Sequence, residues 1–176
     1  SQMEHAIKSE ISVRMEENPA YYESLQERLE NIIREREQGR ITRNEQIKEL
    51  HKIIHDARNV RTKAEKVGLN KKEFALYELL LKEIEYEAAG KVNEPALTHP
   101  FTDSSQVNER IKELTQRLMG RLEKEAVIDW QRKKKIIKRM RRQIKITLKD
   151  YREFKSKLES VTTAIMKLAR KILKTG

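Results

Sequence analysis

The sequence has no cysteine, and its 176 residues include only five glycines and three prolines. Without cysteine the chain has neither a disulfide framework nor a thiolate metal site, which fits a cytosolic, and therefore cytoplasmic, setting. No run of about 18 apolar residues occurs and no apolar stretch opens the chain, so we expect neither a membrane span nor a secretory signal. The chain begins Ser-Gln-Met, which we interpret as the start of a fragment.

Motifs for nucleotide, metal or nuclease chemistry are also missing. The glycines stand singly, at positions 39, 68, 90, 120 and 176, and none precedes a Lys-Ser or Lys-Thr pair, so no phosphate-binding loop is expected. His51 and His55 lie one helical turn apart, but HKIIH lacks the glutamate of the zinc signature HExxH, and we interpret both as exposed or flanking residues. Asp129, Glu153 and Lys155 superficially resemble nuclease residues, yet they fall in a predicted helix. We therefore predict no catalytic, cofactor-binding or metal-binding residue in these 176 positions.

Apolar residues are scarce and charged residues abundant, at 37% and 38% of the chain. An average globular domain has roughly 45–50% and 25%. The core must therefore be thin, and helices lying side by side can form such a core. No alternating strand pattern is present. The composition thus favours an all-α protein.

The positive charge is concentrated at the C-terminal end. The whole chain has a net charge of +11. Residues 129–176 hold 17 Lys and Arg against 4 Asp and Glu, whereas residues 1–128 hold 22 against 24. Clustered positive charge attracts phosphates and acidic surfaces, so we expect a polyanion or an acidic partner near the C-terminus.

Capping signals divide residues 1–90 into about four helices. The signals are Asn18 before Pro19, Gly39 as a left-handed C-cap, Thr42 with Glu45, Gly68, and Asn70 with Glu73. The third helix is predicted to run from Thr42 to Gly68. Residues 1–90 are thus predicted to form an N-terminal helical group, and residues 91–103, which contain two prolines, a linker.

Residues 104–176 are predicted to form a C-terminal helix pair. Asp103 or Ser104 caps the first helix of the pair, and Asp129 is a plausible N-cap for the second. No Gly or Pro follows until Gly176, so the last helix would exceed 40 residues and extend roughly 60 Å. The prediction is therefore an all-α bundle of about six helices, the last one long and basic.

Residues 132–149, RKKKIIKRMRRQIKITLK, give the strongest physical signal. On a helix Ile137, Met140, Ile144 and Leu148 form an apolar stripe, and cations cover the remaining surface. The candidate contact residues for nucleic acid or a partner are Arg132, Lys134, Lys135, Lys138, Arg139, Arg141, Arg142, Lys145 and Lys149. A solvated basic face, or one that contacts acidic protein residues, explains the charge equally well. Trp130 is expected to pack in the core beside Ile128.

Four stretches carry a resemblance to a known family: HAIKSEI at 5–11, ENPAYYESLQERLENII at 17–33, FALYELL at 74–80 and VIDW at 127–130 before a basic helix. Together they resemble the C-terminal helical region of type I restriction enzyme R subunits. The match extends to about Tyr151, after which Arg152-Glu153-Phe154 continues where many relatives have a Tyr-Gly-Tyr-Pro-Pro-like turn.

The resemblance implies a longer parent that translocates and cleaves DNA with ATP and Mg²⁺. It implies no cofactor or catalytic residue for this chain, but a role in docking the motor onto the methyltransferase and specificity subunits. It also makes double-stranded DNA a candidate partner through the basic helix, and a membrane is not expected. Two alternatives remain open: a free-standing basic helical nucleic-acid-binding protein, or a structural helical-bundle interaction protein.

Overall fold

A computed structural model describes residues 1–90 and 104–174, and within them all regular secondary structure is helical, with no strand. The α-helices are α1 (Gln2–Arg14), α2 (Pro19–Glu37), α3 (Arg43–Arg58), α4 (Val60–Val67), α5 (Lys71–Gly90), α6 (Ser104–Glu125), α7 (Lys134–Leu148) and α8 (Leu158–Ile172). Two short 3₁₀ helices, Trp130–Arg132 and Arg152–Lys157, precede α7 and α8. The all-α prediction is confirmed, with eight α-helices in the described ranges instead of about six. The chain divides into two compact units, Ser1–Ala75 and Leu76–Gly176.

Local capping signals position the helices of the first unit as predicted. The side chain of Asn18 accepts a hydrogen bond from the backbone N–H of Tyr21, and Pro19 opens α2. Gly39 adopts a left-handed φ of +69° after α2. Reciprocal side-chain and backbone hydrogen bonds join Thr42 to Glu45 and Asn70 to Glu73. The large, fully buried side chains of this unit are Ile7, Ile11, Tyr22, Leu25, Leu29, Leu50 and Ile53.

The predicted third helix, from Thr42 to Gly68, is wrong because the chain breaks at Asn59 into α3 and α4. The break frees backbone carbonyls at the end of α3, and side chains from α2 satisfy two of them. The Tyr21 hydroxyl donates to the Asp56 carbonyl at 2.8 Å, and the Tyr22 hydroxyl donates to the Ala57 carbonyl at 3.1 Å. The Asn59 amide donates to the carbonyl of His55 at 2.7 Å. These donors make a helix end at Asn59 stable without glycine or proline.

The second unit buries the apolar faces of its helices against one another. Its large, fully buried side chains include Leu76, Leu80, Ile111, Leu114, Leu118, Trp130, Met140, Ile144, Leu148, Phe154, Val161 and Ile165. Helix α7 contacts both α6 and α8. The core of this unit thus lies under the basic helix that the sequence singled out.

The single long C-terminal helix is also wrong. Helix α7 ends at Leu148, Tyr151 is extended, and α8 starts at Leu158 after the second 3₁₀ helix. A straight helix would leave its apolar stripe exposed, whereas folding back buries it between α7 and α8. The expected C-terminal pair therefore consists of three α-helices.

The turn between α7 and α8 is held by contacts to α6. Arg110 of α6 donates to both carboxylate oxygens of Glu153, at 2.6 and 3.3 Å. Arg117 donates to Asp150 at 3.2 Å and to the Tyr151 hydroxyl at 3.3 Å. Phe154 is fully buried. The turn therefore forms through residues more than 30 positions away, and no local breaker is needed.

Two further predictions concern the flanks of α6. The prediction that Asp129 is the N-cap of α7 is wrong, because Lys133 occupies that position. Asp129 instead precedes the first 3₁₀ helix with a left-handed φ of 58°, and its side chain makes no capping hydrogen bond. The predicted linker over residues 91–103 lies outside the described residues.

Candidate nucleic-acid interface

Helix α7 has one buried face, as the sequence indicates. Met140, Ile144 and Leu148 of the predicted stripe are fully buried, whereas Ile137 is only half-buried. Ile136 and Thr147 complete the buried face. Ten of the 15 residues of α7 are not buried, and seven of these ten are Lys or Arg.

Cations at the two edges of this surface are paired with neighbouring helices. On one edge Arg139 donates to Glu125 of α6 at 3.0 Å. On the other edge Arg141 lies 3.3 Å from Glu159 of α8, and Lys145 pairs with the same carboxylate. The hydrogen bond from Lys145, together with Arg141, lowers the pKa of Glu159 below its ordinary value. These three candidate residues therefore already have a carboxylate partner on α6 or α8.

The candidate cations between the two edges have no such partner. Lys134, Lys135, Lys138, Arg142 and Lys149 are all exposed, and no carboxylate in residues 1–90 or 104–174 pairs with them. We call these five residues the cation ridge. The helical period of 3.6 residues places the first four in one sector of α7, and Lys149 is the C-cap of that helix. Arg132, the remaining candidate, is exposed in the preceding 3₁₀ helix.

The ridge extends to the first turn of α7, where positive charge is unfavourable. Lys134 and Lys135 are the first two residues of the helix, its first turn has no acidic residue, and the N-cap Lys133 makes no capping hydrogen bond with its side chain. The N-terminus of a helix carries a partial positive charge, so cations there destabilise it. The helix dipole therefore does not favour this placement.

Sequence reasoning missed three exposed residues near these cations. Ile146, 44% exposed, is an apolar side chain on the cationic face of α7. Arg170 and Lys171 lie at the end of α8 near Gln131, whose side chain donates to the Arg170 carbonyl at 3.1 Å. The hydrophobic pattern of α7 could have predicted that Ile146 lies outside the apolar stripe and is exposed. The approach of α8 could not be read from the sequence, because it depends on the turn after Leu148.

The other residues that the sequence singled out occupy structural or exposed positions. Trp130 is fully buried as predicted, and its indole N–H donates to the Leu173 carbonyl at 2.7 Å, but Ile128 is exposed instead of packed beside it. His51 and His55 are both exposed. Within the described ranges no group of three His, Asp or Glu side chains could hold a metal, and no helix is long and apolar enough to cross a membrane.

The fold and this surface define a helical module with a large basic face. Comparison with known families gives a more specific assignment: residues 1–175 match the family model described as "Type I restriction enzyme HindI endonuclease subunit-like, C-terminal". The chain belongs to this family, and the resemblance seen in the sequence is confirmed.

Two curated relatives agree with this assignment. A putative type I restriction enzyme MjaIXP endonuclease subunit from Methanocaldococcus jannaschii is 29% identical over 150 residues, which cover 82% of this chain and 13% of the relative. The type I restriction enzyme HindI endonuclease subunit from Haemophilus influenzae is 27% identical over 172 residues, covering 98% of this chain and 15% of the relative. The chain thus spans about one seventh of the length of these relatives. No solved structure matches it significantly.

Proposed function

We propose that this chain is an assembly and DNA-contact module of a type I restriction endonuclease subunit. The module docks the motor part of the subunit onto the methyltransferase and specificity subunits, and the cation ridge contacts the backbone of double-stranded DNA. Family membership supports the placement in a restriction enzyme. The charge and exposure of the ridge support the DNA contact.

The proposed DNA contact rests on one observation: the cations at the two edges of the α7 surface have carboxylate partners, and the cations of the ridge do not. Arg139, Arg141 and Lys145 neutralise carboxylates of neighbouring helices, whereas the five ridge residues face solvent without a carboxylate partner in the part of the chain that the structure describes. Lys and Arg side chains that neutralise phosphates release counterions from DNA. Such contacts position a protein on the duplex without reading its sequence.

The ATP-dependent translocation and DNA cleavage that the resemblance implies are proposed for the longer protein, with ATP and Mg²⁺ as its cofactors. The relatives' names support the nuclease part of this proposal, since both are called endonuclease subunits. For residues 1–176 the proposed contribution is binding alone. A cytoplasmic location follows from the proposed access to DNA.

A second candidate function for the ridge is contact with an acidic protein surface. The exposed side chain of Ile146 favours it, because an apolar group among cations suits a protein interface better than a phosphate backbone. The two candidates differ in salt dependence: binding to DNA releases many counterions, and log Kd changes with log salt at a slope of about 0.9 per neutralised phosphate.

The test is binding of the chain to nonspecific duplex DNA across a salt series, for the wild type and two variants. Lys138→Glu with Arg142→Glu reverses the middle of the ridge. Lys8→Glu with Lys72→Glu is the matched control, because it changes the net charge equally at exposed positions of α1 and α5. In parallel, each protein is tested for capture by purified methyltransferase and specificity subunits.

We expect the ridge variant to lose at least tenfold in DNA affinity and about 2 units of salt slope, while the control stays close to wild type. Equal losses in the two variants would mean that net charge alone drives binding and would refute a specific ridge. Salt-insensitive or absent DNA binding, combined with capture that the ridge variant loses, would assign the cations to assembly instead.

A further inference from the structure

The corner between α6 and α7 exposes two large apolar side chains next to each other. Ile128 is 68% exposed and Val127 is 46% exposed. The described residues contain only two other exposed large hydrophobic side chains, Val13 and Ile146. We call Val127 and Ile128 together the apolar corner. Their exposure costs free energy in water unless a partner covers them.

Backbone hydrogen bonds on both sides of the apolar corner favour its observed conformation. The Val127 N–H donates to the Glu125 carbonyl at 2.9 Å, and the Trp130 N–H donates to the Val127 carbonyl at 3.1 Å. Asp129 adopts a left-handed φ of 58°, which aspartate tolerates better than most residues. Ala126 and Trp130, on either side, are buried. A partner that binds such a fixed corner loses little of its affinity to ordering of the loop.

Four exposed cations from two parts of the chain lie near the apolar corner, against one exposed carboxylate, that of Asp129. Arg132 and Lys133 come four and five residues after Ile128, and both are exposed; the exposed carboxylate of Asp129 lies between them and the corner in the sequence. The hydrogen bond from Trp130 to Leu173 brings the end of α8 close to the corner, with Arg170 and Lys171 exposed there. A second copy of this chain would place like charges opposite one another. A complementary partner therefore presents carboxylates around an apolar depression.

We infer that the apolar corner is a docking anchor, with Ile128 inserting into an apolar depression that is edged by carboxylates on another protein subunit of the restriction complex. This inference rests on the proposed function, because the relatives' names describe subunits and the proposed partners are the methyltransferase and specificity subunits. The cation ridge then contacts DNA independently of the apolar corner. The two surfaces can be separated by mutation.

The experiment compares wild type with Ile128→Ser and a matched control, Val13→Ser, which removes the same kind of exposed apolar side chain from α1. Capture by the purified methyltransferase and specificity subunits is titrated in parallel with binding to nonspecific duplex DNA and to vesicles containing anionic lipid. Thermal unfolding followed by circular dichroism checks that each variant folds. Ile128→Leu keeps an aliphatic side chain and tests for rescue.

We expect Ile128→Ser to weaken capture by about 10- to 100-fold, since a large aliphatic side chain loses its buried position. DNA affinity should stay unchanged, and Val13→Ser and Ile128→Leu should behave nearly as wild type. Capture that Ile128→Ser leaves intact would overturn the docking anchor but not the proposed function. Absence of wild-type capture would overturn both the assembly role and the anchor. Loss of DNA or vesicle binding in Ile128→Ser, with capture retained, would assign the corner to that surface and overturn the inference.

Discussion

Reversing the charge at the start of α7 should stabilise the protein while weakening its binding to DNA. Lys134 and Lys135 occupy the first turn of this helix, where the helix dipole disfavours cations and the N-cap Lys133 supplies no capping hydrogen bond from its side chain. A favourable charge in the first turn contributes about 0.3–1 kcal/mol at low ionic strength. Replacing both lysines by glutamate should therefore raise the free energy of unfolding by about 1–2 kcal/mol. For a chain of this length, that corresponds to an increase in Tm of about 3–6 °C.

Calorimetry at low and at high ionic strength measures this effect, since salt screens it. The gain in Tm should shrink at about 1 M salt, where the Debye length is about 3 Å. DNA affinity, measured on the same samples at low salt, should fall because two ridge cations are lost. A variant that is less stable than wild type, or one that binds DNA as tightly, would refute the reasoning that binding explains these lysines.

Other predictions concern stability. Partial burial raises the pKa of Asp56. The ion pairs with Arg28 and Lys63 lower it by a larger amount, so the pKa lies below the ordinary value of 3.8. The ion pairs therefore stabilise the native state above about pH 4, and this contribution is lost as the pH falls through the native pKa; Asp56→Asn should flatten the acid limb of the Tm profile, and an unchanged limb would contradict this. Trp130→Phe should lower the free energy of unfolding by about 2–3 kcal/mol in urea titrations, because a buried carbonyl loses its donor and the smaller ring leaves a void. Phe154→Ala should cost about 3–5 kcal/mol in the same assay, and a cost below about 1 kcal/mol would show that the turn after α7 is not part of the core.

Helix starts and ends that depend on near neighbours could be predicted from the sequence. Gly39 and the pair Thr42 and Glu45 are examples, because their hydrogen bonds or backbone angles involve residues within one turn. The break at Asn59 could not be predicted, because the backbone carbonyls just before it accept hydrogen bonds from tyrosines about 35 positions earlier in the chain. The same holds for the turn after Leu148, which α6 stabilises. Long-range donors thus override a local pattern that favours a continuous helix.

The candidate surface was predictable in outline and not in detail. The apolar stripe and the dense cations identified α7 as an amphipathic basic helix. Which cations are available to a partner depends on where Glu125 and Glu159 lie, and those positions follow from the packing of α6 and α8. The exposed position of Ile128 was likewise unexpected, because an isoleucine beside the only tryptophan suggests a shared core.

The hydrogen bond between Trp130 and Leu173 makes the fluorescence of Trp130 an intrinsic probe of this part of the molecule. Trp130 is the sole tryptophan, it is fully buried, and its indole N–H is bonded to the carbonyl that follows α8. Its fluorescence therefore reports on the environment of the indole, which includes the end of the C-terminal helix beside the apolar corner. A red shift of the emission maximum on adding DNA or a partner subunit would show that binding exposes the indole to water, and no attached dye is needed.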